Sequence, residues 1–396
     1  MTAAKPLRVG MIGYAFMGAA HSHAWRTAPR FFDLPLQPRL TAVAGRSAEG
    51  VRAAADKLGW ESVETDWRRL IERDDIDLID ICTPGDTHAE IAIAALEAGK
   101  HVLCEKPLAN SVEEAERMTL AAESAAKRGV LSMCGFSYRR TPALALAKRF
   151  VDQGRLGEIR HVRAQYLQDW LSDPTAPMTW RLDKSKSGSG SLGDIGAHSI
   201  DAAQWVTGQK ISGVSALLET FVRERPLAGD MVGLGGHGDL SADAPRGSVT
   251  VDDAAIFGAR FDGGAGPGAI GVFEATRYAL GRKNAMRLEV NGSLGSVAFD
   301  FEDMNVLNFY DAAESPDAGF RKIFVTEPEH PYAGNWWPTG HGLGYEHGFT
   351  HQVVDLVTAI GQGIQPEPSF ADALQVQRVL AAVEFSAANS SQWQKV

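Results

Sequence analysis

The chain predicts an α/β domain with a doubly wound parallel sheet, followed by an α+β domain with an open, mostly antiparallel sheet. Three observations carry this reading. Apolar, β-branched runs alternate with helical spacing through the first third, a glycine turn closes the first run, and the periodicity changes to two after Thr141-Pro142. The 396 residues also exceed the usual single-domain range, so two domains are expected, over 1–140 and 141–396.

Leu7–Ile12, Leu40–Ala44, Leu78–Cys82, His101–Cys104 and Val130–Phe136 read as buried parallel strands. Helices fill the gaps. Val51, Ala54, Ala55 and Leu58 repeat at helical spacing, as do Ile91, Ala95 and Leu96, with Gly99 as a C-terminal cap. Ser111 and Glu114 form a capping box ahead of a helix that stops near Gly129. In the second domain Thr141-Pro142 opens a helix, and residues 159–167 alternate polar with apolar. Further strands are expected at Ala254–Phe261, Ala269–Ala275, Met286–Val290, Val297–Phe301 and Val306–Tyr310, with a turn at Asn291-Gly292. Gly229–Gly247 reads as a mobile glycine-rich loop, and helical spacing returns at Thr350–Ile360 and Ala371–Ser386.

With 39 basic and 49 acidic residues the formal charge is −10, which repels phosphate backbones and anionic lipid, and no basic run reverses it locally. Nucleic-acid and membrane partners are therefore not expected. No stretch approaches the ~18 uninterrupted apolar residues of a membrane helix, and Met1–Pro6 is too short for a signal peptide. Cys82, Cys104 and Cys134 are odd in number and far apart, matching neither a disulfide framework nor a zinc knuckle, so a reducing, cytoplasmic setting fits.

The first strand runs into Gly13-Tyr14-Ala15-Phe16-Met17-Gly18, the dinucleotide fingerprint with alanine at its second glycine. Alanine is the least obstructive replacement, so a pyrophosphate can still sit on the following helix N-terminus. Taken alone, the motif also describes a tight turn without a ligand. After the second strand, NAD-specific folds place an acid for the ribose hydroxyls, whereas this chain has Ala44-Gly45-Arg46-Ser47. A guanidinium and a hydroxyl suit a 2′-phosphate, so the cofactor is NAD or NADP with NADP favoured. Arg46 stacking on adenine, with NAD accepted, is the alternative.

The third strand ends at Cys82-Thr83-Pro84 and the fourth at Cys104-Glu105-Lys106-Pro107, at carboxyl ends where doubly wound sheets bind ligands. A cis Lys-Pro turn would aim Lys106 into that crevice, and a surface loop with a solvated lysine is the bland alternative. Thr83-Pro84 with His88 downstream, Glu105-Lys106-Pro107, Trp180-Arg181 and Gly193-Asp194-Ile195-Gly196-Ala197-His198, in this order after Gly13–Gly18, resemble the Gfo/Idh/MocA oxidoreductases. The resemblance implies a Rossmann domain, then an open sheet that carries the interface of a homodimer or homotetramer. It also implies NAD(P)-dependent oxidation or reduction at a carbon of a sugar, glycoside or polyol. Cofactor contacts would fall to Gly13, Ala15, Phe16, Met17, Gly18, Arg46, Ser47, Thr83, Pro84, His88, Glu105, Lys106, Trp180 and Arg181. Tyr166-Leu167-Gln168-Asp169-Trp170 with Ser187–His198 is most similar to the branch of levoglucosan dehydrogenases and glucoside 3-dehydrogenases. That branch implies substrate contacts from Lys106, Tyr138, Gln165, Asp194, His198 and Tyr345.

Asp194, His198, Asp201 and Trp205 share one face of a helix that follows glycine-rich Ser187–Gly193. Oxidising a secondary alcohol needs a base at the hydroxyl while hydride leaves carbon, a task suited to neutral histidine near pH 7. His198 is the expected base. Asp194 would orient it or bind an adjacent hydroxyl, and Lys106 would stabilise the developing alkoxide. Whether Lys106 or His198 takes the proton stays open, because interacting groups titrate as one unit. Taken singly, Asp194 and His198 also describe a helix cap and a core histidine. Glu346, His347 and His351 read as a partly exposed helix face rather than a metal site. His21 and His23 read as packing or solvent-facing, and Trp336-Trp337-Pro338 as packing. Two rival functions fit the same fold: a glycoside-cleaving enzyme that uses NAD transiently, and a non-catalytic dinucleotide-sensing regulator.

Overall fold

The computed structural model describes residues 5–227, 243, 245–264, 268–313 and 318–396, with the backbone of 231–232 and 235–236. The stretch Gly229–Gly247, expected as a loop, lies largely outside the described residues. The chain divides into two units, Met1–Arg140 with Gly344–Leu374, and Thr141–Leu343 with Gln375–Val396.

The first unit runs β1 (Lys5–Ile12), α1 (Phe16–Phe31), β2 (Leu36–Ala44), α2 (Ala48–Leu58), β3 (Ser62–Glu64), α3 (Trp67–Glu72), β4 (Leu78–Ile81), α4 (His88–Glu97), β5 (His101–Cys104), α5 (Val112–Ala126) and β6 (Ser132–Cys134). The strands form one parallel sheet in the order β3-β2-β1-β4-β5-β6. Chain order reverses between β1 and β4, which opens a crevice at their carboxyl ends. The helix ends follow the sequence signals: Ser111 Oγ accepts from Glu114 N at 3.2 Å, and Gly99 is left-handed at φ +78.

The expected second domain, 141–396, requires a correction at residues 344–374. Helix α9 (Tyr345–Gln362) buries Phe349, Val353, Leu356 and Val357 in the cluster that holds Leu7, Val9, Met11, Trp25 and Val43. Each such side chain contributes about 1.5–3 kcal/mol on full burial, enough to bind the segment to the first unit.

The second unit contains α6 (Pro142–Asp152), β7 (Ile159–Leu167), α7 (Lys184–Ser187), α8 (Ala197–Thr207) and β8 (Lys210–Glu219). Two short ribbons follow, β9 (Glu224–Pro226) with β12 (Arg246–Ser248) and β10 (Met231–Val232) with β11 (Gly235–Gly236). Then come β13 (Ala254–Asp262), β14 (Ile270–Thr276), β15 (Ala285–Gly292), β16 (Gly295–Asp300), β17 (Val306–Asp311), β18 (Arg321–Phe324) and β19 (Gln394–Lys395). The large sheet has the order β18-β17-β16-β15-β7-β14-β13-β8-β19, antiparallel except for the β7–β14 pair. Strand alternation gives it two faces. Val162, Ala164 and Tyr166 of β7 are buried, whereas Arg163 and Gln165 share the opposite face with Ile256, Val272 and Arg287.

Candidate active site

In the first unit the phosphate turn is built by close approach. Gly13 adopts φ +97, where a Cβ would lie 2.6 Å from the Cys82 carbonyl, and a Cβ at Gly18 would overlap the Gly13 carbonyl. Ala15 sits at extended φ −73, ψ −155, a conformation that accepts a methyl group, and no side chain caps α1 behind it. The leading N–H groups of α1 thus fit a pyrophosphate, with Phe16 exposed and Met17 half-buried on the same turn. At the end of β2 the Tyr14 ring lies on Gly45, where a Cβ would overlap it. Arg46 is exposed, while Ser47 Oγ caps α2 by accepting from Gly50 N at 3.1 Å. Ser47, expected at the cofactor, is thus engaged in ending the loop.

Two other expected cofactor residues are turned inward. His88 is buried, with Nδ1 2.9 Å from the Pro107 carbonyl and Nε2 2.8 Å from the Thr83 carbonyl, so its ring ties together the loops after β4 and β5. Glu105 is buried beneath Lys106: Oε2 accepts from Lys106 N at 3.2 Å, and Oε1 lies 3.0 Å from His21 Nε2. Both hold the loops that form the crevice. The Lys106-Pro107 bond is cis, as the turn requires, and Lys106, Thr83 and Pro84 are half-buried at the crevice. His21 also reaches Asp80, Nδ1 to Oδ1 at 2.9 Å, and Trp25 Nε1 donates to Asp80 Oδ2 at 2.7 Å. Burial opposes charge on His21, yet the Asp80 carboxylate pushes its pKa well above the usual value. His21, Asp80 and Cys82 bring three possible ligand atoms within 4.8 Å of one another, and His21 and Asp80 are directly hydrogen-bonded. Tyr345 stacks on Phe16 at 6.3 Å between ring centroids, and Tyr138 is buried. His351, expected on a partly exposed face, is fully buried with Nδ1 2.9 Å from the Arg140 carbonyl. Burial pushes its pKa down to about 3, so the ring is neutral.

In the second unit Asp194 does not begin a regular α-helix. Leu192–Gly196 forms a π-helical turn that leads into α8, an irregularity common at functional sites. The Asp252 carboxylate fixes the segment, accepting from Gly190 N at 2.7 Å, Ser191 Oγ at 2.6 Å and Leu192 N at 2.8 Å. The Asp194 carboxylate pairs with Arg277, Oδ2 to Nη1 at 3.2 Å. His198 is buried with its ring 5.9 Å from that of Tyr166. The expected substrate residue Gln165 therefore needs correction: it faces away from His198 and donates to Glu274 at 2.8 Å, because adjacent strand residues point to opposite faces. Arg181 stacks on Trp180 at 4.5 Å. Burial pushes its pKa down, Asp194 opposes this and Arg277 adds to it.

Sequence reasoning missed Asp80, Asp252 and Arg277. Their signals were a polar residue inside an apolar strand, an acidic pair at the start of β13, and an arginine at the end of β14.

A parallel sheet with an uncapped glycine turn after β1 and a lysine in the loop after β5 fits an NAD-binding oxidoreductase. The chain belongs to the Gfo/Idh/MocA family: residues 7–134 match its oxidoreductase family, NAD-binding Rossmann fold, and 144–298 match its C-terminal domain. The crystal structure of an oxidoreductase domain protein from Kribbella flavida is 66% identical, with TM-score 0.94 over 99% of both chains. Levoglucosan dehydrogenase of Pseudarthrobacter phenanthrenivorans is 42% identical over 97% of each chain. A levoglucosan dehydrogenase solved with NADH and levoglucosan superposes with TM-score 0.91 at 41% identity, covering 99% of this chain and 100% of that one. Among the described residues no helix is long and apolar enough to cross a membrane.

Proposed function

We propose that this NAD(P)-dependent dehydrogenase oxidises a ring secondary alcohol of a pyranose sugar or glycoside of the levoglucosan type, with Lys106, Asp194 and His198 as its working residues. The observation that carries this is the built segment Gly190–His198, in which Asp252 holds the chain at Gly190–Leu192, Arg277 pairs with the Asp194 carboxylate, and His198 is buried one turn further on. The likeness to levoglucosan dehydrogenase over nearly the whole chain supports the substrate class.

A nicotinamide cofactor held at the Gly13–Gly18 turn would supply the acceptor for the hydride of the carbinol carbon. His198 takes the hydroxyl proton, Lys106 stabilises the oxygen as negative charge develops on it, and Asp194 accepts a hydrogen bond from a neighbouring hydroxyl. The C–H bond breaks as the carbonyl forms, so one hydride and one proton leave the sugar. Arg46, exposed where an acid would bind ribose hydroxyls, supports NADP over NAD. Exposed Leu217, Ile256 and Val272 on the open sheet face support a homodimer or homotetramer, and three buried free cysteines support a cytoplasmic setting.

The test is an absorbance screen of nicotinamide reduction with both cofactors against levoglucosan, glucose, inositols and aryl glucosides. Reduced cofactor is expected with at least one pyranose. Cofactor binding with no turnover on any of them would indicate a regulator, and aglycone release without net reduction would indicate glycoside cleavage.

A further inference from the structure

We propose that His21 is a positioning residue for Lys106: it bridges the Asp80 and Glu105 carboxylates, and Glu105 in turn holds the backbone from which Lys106 projects. This rests on the reading that Lys106 stabilises the reacting oxygen.

His21 on α1, Asp80 on β4 and Glu105 just after β5 are all buried, and they form a chain. Asp80 is anchored from behind, accepting from Trp25 Nε1 at 2.7 Å and from Cys82 Sγ at 3.6 Å. His21 Nδ1 lies 2.9 Å from Asp80 Oδ1 and Nε2 lies 3.0 Å from Glu105 Oε1, while the Phe349 ring packs on the imidazole at 5.6 Å. Glu105 passes the constraint on. Its Oε2 accepts from Lys106 N at 3.2 Å, and its own N donates to the Ile81 carbonyl at 3.0 Å. The carboxylate is closely fitted, since a Cβ on Gly135 would lie 2.7 Å from Oε1. On the far side of Lys106, His88 Nδ1 lies 2.9 Å from the Pro107 carbonyl. The lysine therefore leaves from a turn held at both ends, by His21 through Glu105 and by His88 directly.

A neutral imidazole donates from one nitrogen only, so for both nitrogens to donate the ring must be protonated. Without it, two buried carboxylates are left with no cation between them, a costly arrangement. Asp80 keeps Trp25 and Cys82, so Glu105 is the partner that shifts, and Lys106 N shifts with it. A misplacement of about 1 Å at a working group costs about 100-fold in rate. Glu105→Gln should relieve this defect, because an amide removes one of the two charges while its oxygen still accepts from Lys106 N.

The experiment compares the full wild-type chain with His21→Asn, Lys106→Ala, and His21→Asn combined with Glu105→Gln or with Lys106→Ala. It measures kcat and KM on the pyranose turned over fastest in the absorbance screen, and cofactor Kd by nicotinamide fluorescence. Nitrogen NMR of histidine-labelled protein reads ring protonation at about pH 8, where an ordinary histidine is neutral. His21→Asn is expected to lower kcat about tenfold or more with cofactor Kd unchanged. Adding Glu105→Gln should recover about threefold or more of that loss, which a role in packing alone would not allow. Adding Lys106→Ala should leave the enzyme no slower than Lys106→Ala alone, because His21 acts through Lys106. One ring of the wild type should carry protons on both nitrogens, and its signal should vanish in His21→Asn. If His21→Asn does not fold, that wild-type signal and a smaller loss of kcat in Glu105→Gln than in Glu105→Ala support the bridge in its place. Wild-type kcat in His21→Asn beside an impaired Lys106→Ala, no recovery with Glu105→Gln, or a weakened cofactor Kd overturns the positioning role. A wild type in which every histidine is neutral at that pH overturns the bridge itself. Wild-type kcat in Lys106→Ala overturns the reading of Lys106 beneath it.

Discussion

His21 Nε2 lies 3.0 Å from Glu105 Oε1, which ties the helix behind the phosphate turn to the residue before Lys106. With Asp80 on the other ring nitrogen, the imidazole sits between two buried carboxylates. Its pKa is raised, so the folded state holds a proton that the unfolded chain releases near the ordinary value of 6.5. The stabilisation is fully present below that pH and is lost as pH rises through the raised value. In that window wild-type stability should fall by about 1.4 kcal/mol per pH unit more than in His21→Asn. Urea unfolding of both proteins across neutral and alkaline pH measures the difference, and equal slopes would sink the assignment.

Lys106→Ala and His198→Ala should each lose at least about 100-fold in kcat while cofactor binding persists. Lys106 emerges from a turn whose backbone is held by Glu105, and His198 from a helix held by the Asp252-anchored segment, so truncating either leaves its frame in place. Steady-state kinetics with isothermal cofactor titration decide this. Near wild-type turnover in either variant refutes its role.

The parallel sheet, the glycine turn and the Lys106 loop were legible because each is a local pattern: a run, a cap, a turn residue. β3 was not, since Ser62-Val63-Glu64 offers a single apolar residue, and β8 was obscured by Gly213, whose missing side chain makes room for Trp393. Periodicity marked α9 as having a buried face but not that α1 covers it. The supporting pairs were invisible for a similar reason. His21 and Asp80 are 59 residues apart, Asp194 and Arg277 are 83 apart, and no spacing rule links such distances.

Strand register separates two neighbours that sequence similarity does not. Tyr166 faces His198 and donates to Asn284 Oδ1 at 2.7 Å, whereas Gln165 lies on the open face with Glu274. Tyr166→Ala should lower kcat/KM for sugar by about tenfold or more, through lost packing against the His198 ring, and Gln165→Ala should stay within about threefold of wild type. The reverse order of effects would place the substrate on the other sheet face.

The proposed preference for NADP rests on Tyr14, Gly45 and Arg46 together. An acid at position 45 is what an NAD-specific pocket would add, but the Tyr14 ring already occupies the space of that side chain, and Arg46 stands exposed beside it. Gly45→Asp alone should therefore weaken binding of both cofactors by displacing Tyr14, without creating an NAD site. Pairing it with Tyr14→Ala should restore NAD affinity and weaken NADP by about tenfold or more, since a carboxylate would then face the 2′-phosphate. Arg46→Ala should cost NADP alone, by a similar factor, as one charge-assisted contact is lost. Nicotinamide fluorescence titrations with each cofactor distinguish these outcomes. Equal affinities for NAD and NADP in wild type, unchanged in Arg46→Ala, would remove Arg46 from cofactor recognition and leave Tyr14 as a packing residue.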